Sequence, residues 1–151
     1  MDLTDEITIA ATKPRVYAAL NDPEVLQRCI PGCEHLEKLS ETELEATVLL
    51  KVGPVKTRFK GRVTLDVSAA PDAFTLTGQG SGGAAGHAKG GAEVVLTETA
   101  PQETLLRYEA RAEVGGKLAQ LGNRLIQGTA KKLSARFFEE FARVVEEDAV
   151  A

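Results

Sequence analysis

Apolar and polar residues alternate from Leu3 to Ala11, with Leu3, Ile7, Ile9 and Ala11 on one side and Thr4, Glu6 and Thr8 on the other. A period of two over that length predicts a half-buried strand. Thr12 is placed to cap a helix whose first turn holds Pro14, where a missing N–H costs little. Val16, Tyr17 and Leu20 give that helix an apolar side. Asn21-Asp22-Pro23 ends it and opens a second short helix through Val25, Leu26 and Cys29, which Pro31-Gly32 closes.

Six further extended runs follow: His35 to Leu39, Leu44 to Val52, Val55 to Val67, Ala73 to Gly80, Ala92 to Thr97 and Thr104 to Val114. Turn chemistry separates them at Glu41-Thr42, Gly53-Pro54, Pro71-Asp72 and Ala100-Pro101. Connections this short favour antiparallel hairpins in sequence order, a meander. After Gly115-Gly116 the period changes. Leu118, Leu121, Leu125, Ala130, Leu133, Phe137, Phe141 and Val144 recur at helical spacing. This predicts one amphipathic helix of about 30 residues, about 45 Å long at the usual rise. Its apolar stripe needs a long surface to lie on, and the concave side of the sheet is the candidate.

The fold class expected is therefore α+β. A curved antiparallel sheet of about seven strands wraps one long C-terminal helix, with two short helices after the first strand. One domain spans residues 1–147, with a terminal tail at 148–151. Seven glycines stand between Gly78 and Gly91, half of that stretch, and glycine tolerates the bulges and coiling that bend a sheet. Gly122 and Gly128 on the long helix point to close packing or to room for a ligand. A bent sheet that fails to close on its helix leaves an apolar pocket. Its expected lining is Leu20, Leu26, Leu50, Phe59, Leu65, Leu76, Tyr108, Leu118, Leu121, Leu125 and Phe137, with His87 at the mouth.

Composition agrees with one soluble domain: 151 residues, 43% hydrophobic and 26% charged. A net charge of -4, 5% aromatics and no Trp argue against nucleic acid as a partner. The acidic, alternating start is not an export signal, and no run reaches the roughly 18 apolar residues of a membrane span. With only two cysteines, four positions apart, the reading is a reduced cytoplasmic protein.

Two chemical motifs lose to plainer readings. Gly78, Gly80 and Gly83 spell GxGxxG, but a strand (Ala92–Leu96) follows where a dinucleotide site needs a helix. Cys29, Cys33, His35 and His87 could in principle hold zinc, yet two thiols around Pro31-Gly32 fit a turn. No metal and no cofactor is expected. There is no Gly-x-Ser-x-Gly, and no nucleophile–base or carboxylate pair beside an apolar face, so no catalysis is expected either. Lys117, Arg124, Lys131, Lys132 and Arg136 form a basic stripe on the long helix, either solvated surface or a dock for an acidic partner or anionic lipid.

Several strings together resemble the CoxG subunit family of carbon monoxide dehydrogenase, within the START-like superfamily. They are Leu20–Glu34 (LNDPEVLQRCIPGCE), Lys51–Val63 (KVGPVKTRFKGRV), Gly78–Val94 (GQGSGGAAGHAKGGAEV) and Val114–Ile126 (VGGKLAQLGNRLI), with the Phe137-Phe138 pair. The resemblance implies a helix-grip fold with a pocket for an apolar small molecule, quinone- or lipid-like. It also implies an accessory role beside molybdenum hydroxylase subunits, in membrane recruitment or in handling a quinone acceptor. Larger members carry a further C-terminal apolar anchor that this chain lacks, so at most transient contact with the inner face of the membrane is expected. The alternatives are a recruiting or assembly factor without a ligand, and an enzyme of the kind found on related folds.

Overall fold

A computed structural model describes residues 1–150, with side chains described for 1–147. The elements run β1 (Asp2–Ile9), α1 (Lys13–Leu20), α2 (Pro23–Cys29), β2 (Cys33–Lys38), β3 (Glu43–Val52), β4 (Val55–Asp66), β5 (Ala73–Ser81), β6 (His87–Ala100), β7 (Glu103–Gly115) and α3 (Asn123–Val150). Short 3-10 segments lie at Gly83–Ala85 and Gly116–Leu121. The strands form one antiparallel sheet in the order β1-β7-β6-β5-β4-β3-β2, a meander closed at one edge by the first strand. The expected helix-grip architecture is present.

Alternation decides which side of each strand is covered. Along β4 the odd-numbered residues Val55 to Leu65 are more buried than the even-numbered Lys56, Arg58, Lys60 and Arg62. α3 touches β1 at one edge of the sheet and β3 near the other, so the sheet curls around it. α1 and α2 close one end by packing on α3. Asp22 caps α2 by accepting from the Glu24 N–H at 3.0 Å. Thr12 occupies the N-cap of α1, but its side chain makes no capping bond. The buried Thr104 hydroxyl instead donates to the Ala11 carbonyl at 2.7 Å, tying β7 to the chain leaving β1.

Two expectations from periodicity are corrected. Leu118 and Leu121 precede the long helix, because Gly122 at φ +93° breaks the chain before α3 starts at Asn123. The helix has 28 residues, about 42 Å. β6 begins at His87, not Ala92, since the glycines at 90 and 91 pair with β5 and β7 and are part of the ladder. At Gly90 a Cβ would lie 2.1 Å from the Arg111 carbonyl oxygen. α3 continues to Val150, so the tail expected at 148–151 falls where side chains are not described, and Ala151 lies outside the described residues.

Candidate functional site

The inner face of the sheet divides along its length. At the end closed by α1 and α2, Phe74, Val94, Leu96 and Leu106 pack with Phe141, Val144 and Val145 of α3 into a sealed core. Toward the hairpin tips, the register places Gly78, Gly80, Ala88, Ala92, Ala110 and Ala112 on that same inner face. Side chains this small leave the floor low. Around it stand Val48, Leu50 and Phe59 of β3 and β4, with Leu125, Ile126 and Leu133 from the first half of α3. All six are partly exposed, and none belongs to the core or packs against it. An apolar side chain left beside water is the surface an apolar ligand would cover, at roughly 25 cal/mol per Å².

Close contacts hold the tips together. The Phe59 ring lies over the Gly-rich hairpin, so near that a Cβ at Gly82 would sit 2.8 Å from its Cε2. Thr57 Oγ1 donates to the Gly82 carbonyl at 3.2 Å, pinning β4 to the same hairpin. The segment Gly116–Leu121 packs on Gly83–Ala85, and Leu118 within it is buried.

Of the residues read from the sequence as pocket lining, Leu50, Phe59, Leu118, Leu121 and Leu125 stand at this tip end. Leu26, Leu65 and Tyr108 are instead part of the sealed core, and Leu20, Leu76 and Phe137 pack against it. His87 is exposed on the outer face, beside Lys60 and Ser81 in the ladder. There it lines an outer groove of about 500 Å³ with Arg62, Gln79 and Lys89.

Sequence reasoning missed a concavity of about 620 Å³ between β1 and α3, with Tyr108 and Phe138 in its lining and Asp5, Glu6, Glu139 and Glu146 around them. Asp5 comes from β1, opposite Tyr108 in the ladder, and Ser134 comes from α3. Burial pushes the Tyr108 hydroxyl above its ordinary value, against a hydrogen bond with Ser134, and the Asp5 carboxylate pushes the same way as burial. The Tyr108 ring stacks on Phe138 at 4.8 Å. No local signal marks this pairing, since Tyr108 and Ser134 lie on different elements far apart in the chain.

Cys29 is buried, and Cys33 Sγ donates to the His35 carbonyl at 3.4 Å. Among the described residues no three His, Cys, Asp or Glu side chains gather as metal ligands. Among them, too, no helix is long and apolar enough to cross a membrane.

Charge is sorted along the molecule. Residues 46–65, 73–92 and 114–138 hold eleven Lys or Arg and no Asp or Glu, while all 22 carboxylates lie in the rest of the chain. Those three stretches are the β3–β4 hairpin, the β5–β6 hairpin and the run from the end of β7 into the first half of α3. Arg58 holds Glu34 at 2.7 Å and Lys89 holds Glu113 at 3.3 Å. Among the described residues Lys51, Lys56, Lys117 and Arg124 have no carboxylate partner.

Residues 6–146 match the CoxG family of carbon monoxide dehydrogenase subunits. The chain belongs to that family. A conserved protein from Geobacillus kaustophilus has a similar crystal structure: 29% identity, TM-score 0.89, covering 97% of this chain and 96% of that one. A START superfamily protein from Mycobacterium smegmatis aligns at TM-score 0.70 and 16% identity, over 98% of this chain and 96% of its own. The Zhui aromatase/cyclase from Streptomyces sp. R1128 aligns at TM-score 0.68 and 14% identity, over 97% and 93%. These last two show the START-like fold alone. No curated protein matches the chain. The CoxG family and this fold are consistent with a hydrophobic-ligand-binding accessory protein.

Proposed function

We propose that this CoxG-family chain binds an apolar small molecule in the hollow between the glycine- and alanine-floored sheet and the first half of α3. It does so without catalysis of its own, as an accessory to a carbon monoxide dehydrogenase-type molybdenum hydroxylase. The observation that carries this reading is the second apolar zone. Leu50, Phe59 and Leu125 converge at the tip end yet stay outside the core. The pocket residues are Leu50, Phe59, Leu118, Leu121 and Leu125, with Leu20, Leu76 and Phe137 at the boundary with the core.

The inward positions of the hollow support a non-enzymatic role. On the sheet side they are Val, Leu, Phe, Gly and Ala, with Thr57 the polar exception, so the strands set no acid or base beside a bound molecule. An apolar body of quinone or lipid type suits such walls, and a cytoplasmic location with transient contact at the inner membrane face suits its supply. Mass spectrometry of gently purified protein tests the reading: a co-purifying apolar compound is expected. A protein that carries none, and whose melting temperature no quinone or lipid raises, would contradict it.

A second reading, recruitment of the hydroxylase by protein contact alone, is favoured by the exposed Lys131 and Lys132, which make no ion pair among the described residues. Charge reversal at both would abolish co-purification with the hydroxylase on that reading and leave it intact on the first.

A further inference from the structure

The outward face of the sheet, turned away from α3, carries a trough that the hollow does not use. It runs along β5 in three rows of cross-strand neighbours: Thr64-Thr77-Gly91, Arg62-Gln79-Lys89 and Lys60-Ser81-His87. Two open concavities, of about 670 and 500 Å³, meet over the middle row, since Arg62, Gln79 and Lys89 line both. Side chains of β5 make the floor, and β4 and β6 make the walls. Gly91 puts no side chain into its wall, and Arg111 of β7, its ladder neighbour, lines the trough there.

Charge inside the trough has one sign. Its three rows hold Lys60, Arg62 and Lys89 and no carboxylate. Glu45, Glu113 and Asp2 stand one strand further out, opposite Arg62, Lys89 and Arg111. Lys89 reaches Glu113 at 3.3 Å, whereas Lys60, Arg62 and Arg111 form no ion pair among the described residues. Exposed cations flanking an uncharged floor leave the trough locally positive, in a chain whose overall charge is -4.

The shape narrows what such a field would hold. Successive rows lie two residues apart, about 6.8 Å along the strand. Alternate residues of any extended peptide repeat at the same interval, so carboxylates at every second position would meet successive rows. Thr77, Gln79 and Ser81 add neutral donors between the cations. No aromatic side chain lines either concavity, so a nucleotide base would have nothing to stack on. A planar bilayer cannot follow a concave floor and would touch only the tips of the walls.

We infer that the trough docks an acidic segment of a protein partner. The segment lies extended along β5, its alternate carboxylates held by Lys60 and Arg62 on one side and by Lys89 and Arg111 on the other. This face is opposite the hollow, and the inference stands or falls apart from it.

The test is titration of the isotope-labelled full chain with the capped peptide Glu-Ser-Glu-Ser-Glu, read from backbone amide shifts. The amides of Thr77, Gln79, Ser81 and Lys89 should move, and the same peptide with Gln in place of Glu should move none of them. Arg62→Gln with Lys60→Gln should weaken binding about tenfold, the loss of a charge-assisted contact. Lys132→Gln with Arg136→Gln removes the same charge from exposed positions on α3 and should leave the affinity unchanged. Raised salt should weaken the peptide on the wild-type chain, a readout that needs no variant.

Equal weakening in the two variants would overturn the trough in favour of overall charge. Inorganic phosphate that moves the same amides at the peptide's own concentration would reassign the site to a small anion. A chain that sediments with anionic vesicles yet shows no amide shifts with the peptide would reassign the cations to a membrane surface. No shift along β5 with the peptide and no vesicle binding would overturn the docking role outright.

Discussion

Leu125 of α3 and Gly53 of the β3–β4 turn touch so closely that a Cβ on the glycine would lie 2.8 Å from Leu125 Cδ2. This contact joins the start of the long helix to the tip of the hairpin, beside the proposed hollow. Gly53 has φ +56°, a conformation that side chains resist. Gly53→Ala should therefore destabilise the protein by about 1–2 kcal/mol. Part of that penalty is conformational and part is the clash with Leu125, so Leu125→Ala added to it should cost less than the two singles together. Urea unfolding of the four proteins checks the cycle; strict additivity would mean that the turn and the helix do not meet.

The two apolar zones should answer truncation differently. Phe141 is 0% exposed, and Phe141→Ala should cost about 3–5 kcal/mol. Phe59, outside the core and half-open, should cost about 1 kcal/mol on truncation but weaken binding of an apolar probe. Chemical denaturation paired with probe titration separates the effects. A Phe59→Ala protein as unstable as Phe141→Ala would place that ring in the core.

Glycine substitutions should run in opposite directions. A Cβ at Gly90 would sit 2.1 Å from the Arg111 carbonyl, a backbone atom that cannot step aside cheaply, so Gly90→Ala should destabilise by more than about 2 kcal/mol. Gly128 lies within α3 with nothing within 4 Å of where a Cβ would stand. Gly128→Ala should stabilise by about 0.5–1 kcal/mol through helix propensity. Thermal unfolding of both variants reads the signs.

Alkaline pH should weaken the fold. Burial raises Cys29 above its ordinary 9.0, aided by Glu140; burial likewise raises Cys33, and it raises Tyr108 above 10.0. A group whose folded pKa is raised favours the folded state below its unfolded value, and that contribution fades as the pH climbs through the folded one. The urea midpoint should thus hold from neutrality to about pH 9 and fall beyond it. Cys29, 2% exposed, should resist iodoacetamide in native protein and react once unfolded. Rapid native alkylation of Cys29 would contradict its placement.

The meander and the gripping helix were legible because both rest on local periodicity, two along β1 and β4 and near 3.6 along α3. Where local cues misled, backbone geometry was the cause. Leu118 and Leu121 continue the helical spacing of Leu125, yet Gly122 interrupts the chain between them. Gly90 and Gly91 have turn composition but sit in a ladder that needs their lack of side chains. The candidate site was harder. Phe59 and Leu65 share one face of β4 and one chemical character, and only distance from the sealed end puts one in the core and leaves the other outside it, on the proposed ligand surface. The pairing of Tyr108 with Ser134 depends on how α3 lies on the sheet, which no local pattern reports.

The occupancy of the hollow is the central claim, and intermolecular NOEs from bound N-phenyl-naphthylamine test it most directly. Cross-peaks to Leu50, Phe59 and Leu125 are predicted, with none to Phe74 or Leu106 in the sealed core. Contacts confined to Tyr108 and Phe138 in the groove beside β1, or no bound probe at all, would contradict it.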